Sequence, residues 1–269
     1  MDAGTGVKIG VIGGAGWLGG ALAGALLDAG IVSRQDLTLS YRSERPDRFD
    51  GALWTKDNQA LADRSDVILL SVRPADWSRL SVDANGKLLI SVMAGIQIES
   101  LRDRHRTERV VRCLPNAAVE VSRSYTPWVA AEAVGDNDRA YIRSLLSSCG
   151  AEDEVHSESD IDYFTGFSGA GPAFPALLAE AMAKDAVSRG IPAAIAERSV
   201  AALLIGAGRL LEKHGEPAAE TVRAFIDYRG TTAAAIETMR EAGFDAAIAA
   251  GLAAALKKSV SLGEASRQL

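Results

Sequence analysis

The sequence predicts an α/β domain built on a parallel sheet, followed by an all-α domain. Three observations carry this. Short apolar runs alternate with helical stretches through the first half, and a glycine-rich turn directly follows the first run. From about Ser159, alanine-rich helical runs succeed one another to the end. The pattern changes in the polar, acidic stretch 157–160, which sets the domains at 1–158 and 159–269.

Six runs read as strands: 7–12, 37–41, 67–72, 88–93, 110–114 and 128–131. They are rich in Val, Ile and Leu and bounded by turn residues. Their apolar character is continuous rather than alternating, as a sheet covered on both faces requires. A weaker strand is expected at 152–156. After the boundary, Gly190-Ile191-Pro192 marks one clear break between helices.

At 269 residues, with 48% hydrophobic and 24% charged, the chain can bury a core in each of two domains. A net charge of −6 argues against nucleic acid or a membrane surface as partner, since both select clustered positive charge. The apolar run from Ile191 is broken by Glu197, Arg198 and Arg209, too charged to span a bilayer. Met1-Asp2-Ala3-Gly4-Thr5-Gly6 lacks the basic and apolar regions of a secretory signal. Cys113 and Cys149 form neither a disulfide framework nor a metal-ligand spacing, so the expected location is the cytoplasm, with no metal. His105, His156 and His214 show no partner pattern and read as solvated surface residues.

Gly14-Ala15-Gly16-Trp17-Leu18-Gly19 follows the first strand and opens a helical run at 21–27. This is the G-x-G-x-x-G turn of a Rossmann domain in its strand–turn–helix context, where backbone amides at a helix start meet a pyrophosphate. Gly10, Gly13 and Gly20 blur its register. The second strand ends Tyr41-Arg42-Ser43-Glu44-Arg45, without the acidic residue that binds a ribose 2′-hydroxyl. Arg42 and Ser43 suit a 2′-phosphate, pointing to NADP(H), with NAD(H) as the alternative. Ser71-Val72-Arg73-Pro74, Val92-Met93-Ala94-Gly95 and Leu114-Pro115-Asn116 end the next strands and should border the cofactor cleft; Asn116 reads equally as a turn former.

In the second half, Arg229-Gly230-Thr231-Thr232 precedes an apolar helical run. Free amides at such a start can hold a carboxylate, and a threonine can instead simply cap the helix.

Together these residues resemble the pyrroline-5-carboxylate reductase family over nearly the whole chain. The glycine turn, Asn58, Val72-Arg73-Pro74, Met93-Ala94-Gly95 and Pro115-Asn116 fall in the family's order. Thr165-Gly166-Phe167-Ser168-Gly169-Ala170-Gly171-Pro172-Ala173-Phe174 resembles its Ser-Gly-Ser-Gly-Pro-Ala-Tyr segment, and Gly230-Thr231-Thr232 its Pro-Gly-Gly-Thr-Thr signature. The resemblance implies a helical dimerisation and substrate domain, in a homodimer or a larger ring of dimers. It implies that Gly14, Gly16 and Gly19, with Trp17 and Leu18, meet the pyrophosphate. It assigns Arg42 and Ser43 to the 2′-phosphate, and Asn58, Val72, Arg73, Pro74, Ala94 and Asn116 to the cofactor lining. Gly230, Thr231, Thr232 and Ser168 would bind the substrate, a small imine or amino acid, with the Thr232 hydroxyl near the ring nitrogen as the catalytic group.

The implied reaction is NADPH-dependent reduction of pyrroline-5-carboxylate to proline. Tyr228 and Arg229 stand where the family has Pro-Gly. Ala170 replaces a hydroxyl, Ala117-Ala118 replace Thr-Pro, Arg73 replaces a lysine, and the glycine turn is one residue longer. These departures leave open a different cyclic imine, imino or keto acid, or a dinucleotide-binding regulator without turnover.

Overall fold

The computed structural model describes residues 6–267, so the reading of Met1 to Thr5 lies outside the described residues. Among the described residues, eight strands form one sheet in the order β3-β2-β1-β4-β5-β6-β7-β8. They are β1 (Ile9–Ile12), β2 (Leu37–Ser40), β3 (Leu53–Thr55), β4 (Val67–Leu70), β5 (Leu88–Ser91), β6 (Val110–Cys113), β7 (Ser124–Ala130) and β8 (Gly150–Glu154). All neighbours pair in parallel except β6 with β7. The first five apolar runs each become a strand buried along its whole length, since helices cover both faces of the sheet.

Three features depart from the sequence reading. β3 is an edge strand of three residues, too short to leave a pattern. β7 starts at Ser124, four residues before the expected run, because Tyr125-Thr126-Pro127 interrupts its apolar character. β7 also turns the sheet antiparallel at its far side, which no apolar run encodes.

Along this sheet the chain forms the helices α1 (Trp17–Asp28), α2 (Asn58–Asp63), α3 (Pro74–Trp77), α4 (Ile98–His105), α5 (Asp136–Ser147) and α6 (Glu158–Phe164). Leu22 and Leu26 of α1 share one core cluster with Trp128, Ile142 and Leu145. Leu61, Trp77, Val82 and Leu101 build another cluster with Ile68 and Leu70 of β4. Arg112 of β6, almost fully buried, pairs with Glu158 at 2.6 Å and Asp162 at 3.1 Å, tying α6 to the sheet.

His105 corrects an expectation. His156 and His214 are exposed, but His105 is wholly buried. The Trp77 indole donates to its Nε2 at 3.2 Å, and its Nδ1 lies 2.9 Å from the Val82 carbonyl. An apolar face of α4 carries this histidine inward, and burial pushes its pKa below the ordinary value. Cys113 and Cys149 are both free and buried, and burial raises both thiols.

The chain forms two compact units, one of residues up to Ala170 together with those from Ala254, the other Gly171–Ala253. The second contains α7 (Ala173–Ser188), α8 (Ala193–His214), α9 (Ala218–Asp227), α10 (Thr231–Glu241) and the first part of α11 (Phe244–Arg267). Gly190, at φ +88°, ends α7 where the break was expected. Between α7 and α8 opens a cleft of about 730 Å³ bordered by Ala179, Ala183, Val187, Val200, Ala201 and Leu204. Leu177, Leu203, Ile205, Leu210 and Phe225 of this unit are exposed.

Candidate active site

The carboxyl ends of β1, β2 and β4 converge on the glycine turn, because β1 lies between the other two. Gly13 takes φ +85°, and a Cβ there would stand 2.3 Å from the Ser71 carbonyl oxygen at the end of β4. A Cβ on Gly19 would stand 2.5 Å from the Gly13 carbonyl oxygen. Both positions therefore demand glycine, since the obstacle is backbone that cannot rotate away. Ser40, at the end of β2, clamps the turn from the other side. Its hydroxyl accepts the Gly13 N–H at 3.0 Å, and its carbonyl accepts the Ala15 N–H at 3.1 Å.

The extra glycines resolve into separate tasks. Gly10 makes room in β1 for Leu61 and Ser65, and Gly20 makes room for the Arg48 guanidinium. Arg48 donates to the carbonyls of Gly14 at 2.8 Å and Gly16 at 3.2 Å. It thereby places a positive charge against the turn's carbonyls. Sequence reasoning missed Arg48, whose polar loop resembles any solvated one; the only available signal was the surplus glycine at position 20.

Gly16 caps α1 with no side-chain cap bond, so the first amides of the helix, beginning with Trp17 and Leu18, are available to an external acceptor. Trp17 is exposed and its indole donates to Glu120. A strand–turn–helix cradle that excludes Cβ atoms and presents helix amides fits the pyrophosphate of a dinucleotide.

Arg42, two residues beyond β2, lies 3.6 Å from the Asp76 carboxylate; Arg73, beyond β4, lies 2.9 Å from the same oxygen. Ser43 is exposed beside Arg42, while Val72 and Pro74 are half-buried around Arg73. Asn58 begins α2, is half-buried, and leaves the capping to Asp57, whose carboxylate accepts Gln59 and Ala60 amides. Ala94 packs against Leu114, Val129 and Ile161.

Asn116 is committed on both sides. Its Oδ1 accepts the Ala118 N–H at 2.9 Å, and its Nδ2 donates to the Ser168 carbonyl at 3.0 Å. The Ser168 hydroxyl donates to the Phe164 carbonyl at 3.3 Å inside a π-helical turn, Thr165–Gly169. The structure thus joins Asn116 and Ser168 through backbone support.

In the second unit, Gly230 is the N-cap of α10 and no side chain caps it. Thr231 and Thr232 are exposed in its first turn, so the simple threonine cap is not formed. The amides and both hydroxyls at this helix start can therefore serve an external anion. Arg229 holds the left-handed conformation at φ +53°, and the 85% exposed Tyr228 ring lies over Gly230. Among the described residues, no group of three or more His, Cys, Asp or Glu could hold a metal ion.

Residues 158–262 match the family model for pyrroline-5-carboxylate reductase dimerisation, and residues 8–95 match that for NADP oxidoreductase, coenzyme F420-dependent. The chain is 32% identical to pyrroline-5-carboxylate reductase of Synechocystis over 77% of its own length and 79% of the relative's. It is 31% identical to that of Corynebacterium melassecola, covering 95% and 98%. Its fold matches the crystal structure of Plasmodium falciparum pyrroline carboxylate reductase with NADP bound, at TM-score 0.82 and 24% identity, covering 97% and 100%.

Proposed function

The chain belongs to the pyrroline-5-carboxylate reductase family, and from that premise we propose that it reduces pyrroline-5-carboxylate to proline with NADPH. It is an NAD(P)H-dependent oxidoreductase acting on a C=N bond. The observation that carries this reading is one chain holding both a Cβ-excluding glycine turn and an uncapped Gly230-Thr231-Thr232 helix start.

NADPH, when bound, supplies the hydride. The amides opening α1 hold its pyrophosphate, and Arg42 with Ser43 holds its 2′-phosphate. Asn58, Val72, Arg73, Pro74 and Ala94 border it. Asn116 acts by shaping the segment that carries Ser168. The amides of Gly230, Thr231 and Thr232 hold the substrate carboxylate, and the Thr232 hydroxyl bonds the ring nitrogen. No strong acid is required at that nitrogen, because an imine can arrive protonated and positioning then supplies much of the rate.

We assign residues 1–158 to cofactor binding and 159–269 to substrate and dimerisation. The exposed apolar residues of α7 to α11 then become interface in a homodimer or a ring of dimers. Phe244–Glu264 has the length and hydropathy of a membrane span; it carries Lys257 and Lys258 and lies almost wholly inside the dimerisation match, so we assign its apolar face to that interface. Two buried free thiols suit a cytoplasmic location.

The test is NADPH oxidation with pyrroline-5-carboxylate, piperideine carboxylates and simple keto acids. The proposal expects pyrroline-5-carboxylate to give the highest kcat/KM. Preference for another acid would move the substrate, and NADPH binding with no turnover would make the chain a ligand sensor.

A further inference from the structure

Arg42 and Arg73 come from opposite sides of the glycine turn, since β1 separates β2 from β4. Both nonetheless reach the same carboxylate oxygen of Asp76, in the single turn of α3. The two arginine side chains are 76% and 74% exposed, whereas the Asp76 side chain is 29% exposed. The carboxylate therefore lies beneath the cations, and their outward faces remain open.

The Arg73–Asp76 pair is local to the start of α3, whereas Arg42 joins it from beyond β2. Arg42 and Arg73 are exposed, and two solvated arginines gain little from one shared surface carboxylate. Its consequence is electrostatic. One carboxylate against two guanidinia leaves a single net positive charge where a phosphate monoester would bring nearly two negative ones.

We propose that Asp76 is the internal counter-ion of the 2′-phosphate site and sets the preference between NADPH and NADH. The inference rests on the reading that Arg42 faces the 2′-phosphate. Asp76 holds the two guanidinia together while the site is empty of phosphate. A 2′-phosphate must then compete with it for both. NADH, lacking that group, leaves the Arg42–Asp76–Arg73 bridge intact. Asp76 thus lowers discrimination against NADH, and Arg42 creates it.

The experiment titrates the full-length protein with adenosine 2′,5′-bisphosphate and with 5′-ADP by calorimetry, over a range of salt. Asp76→Asn keeps the side-chain shape and is expected to tighten the bisphosphate by about three- to tenfold. It should leave 5′-ADP within about twofold and steepen the salt dependence of the bisphosphate alone. Equal changes for both nucleotides, or no change for the bisphosphate, overturn the counter-ion role. Arg42→Ala separates the two levels. If it abolishes the bisphosphate preference while Asp76→Asn does nothing, only the counter-ion role fails. If Arg42→Ala leaves that preference intact, the 2′-phosphate reading fails and takes the proposal with it.

Discussion

The Ser40 hydroxyl accepts the Gly13 N–H at 3.0 Å, so the end of β2 sets the geometry of the turn that follows β1. Gly13 has no room for a side chain, with the Ser71 carbonyl against its α-carbon on the other side. The glycine turn is thus held by the strands flanking it on both sides.

Ser40→Ala would leave the Gly13 amide without its partner in a site where Ser40 is 4% exposed. The expected cost is about 1–3 kcal/mol of stability, read from urea midpoints. NADPH and NADH affinity should fall together, because the turn is assigned to the pyrophosphate common to both. Gly19→Ala is harsher: its methyl would meet the Gly13 carbonyl, and dinucleotide binding should drop at least about tenfold.

Thr232→Ala removes the hydroxyl assigned to the ring nitrogen. Its kcat with pyrroline-5-carboxylate should fall by roughly 10–100-fold, with NADPH affinity unchanged and Thr232→Ser largely restoring the rate. Wild-type turnover in Thr232→Ala would end that assignment.

Arg229 occupies a left-handed conformation that costs an L-residue on the order of 1 kcal/mol and costs glycine almost nothing. Glycine also loses more entropy on folding, so the two effects nearly cancel. Arg229→Gly should therefore change stability by less than about 0.5 kcal/mol, while Arg229→Val should lose more than about 1. A large loss in the glycine variant on thermal melting would mean the Arg229 side chain itself holds the α9–α10 connection.

His105 makes the stability of the sheet unit depend on pH. Its neutral ring accepts from Trp77 at Nε2 and donates from Nδ1 to Val82; a second proton would set an N–H against the indole N–H. Its pKa is lowered in the folded state, so its contribution is complete above the ordinary value of about 6.5 and is lost as pH falls below it. His105→Gln should weaken that pH dependence in chemical denaturation between about pH 7 and 5. An unchanged slope would remove His105 from the acid response.

By itself the sequence determined the sheet, because continuous Val, Ile and Leu runs have one stable destination, the interior of a covered parallel sheet. It also marked the glycine turn and the Gly230-Thr231-Thr232 helix start, each a short contiguous motif at the opening of a helix. The tertiary structure alone decided what reaches them across the fold. Ser40 and Arg48 bracket the turn from 20 to 35 positions away, Arg42 and Arg73 meet on Asp76, and His105 turns inward. The strand β7 and the buried Arg112 follow the same rule. A single polar residue has no periodicity; its partner, and hence its role, exists only once distant segments are side by side.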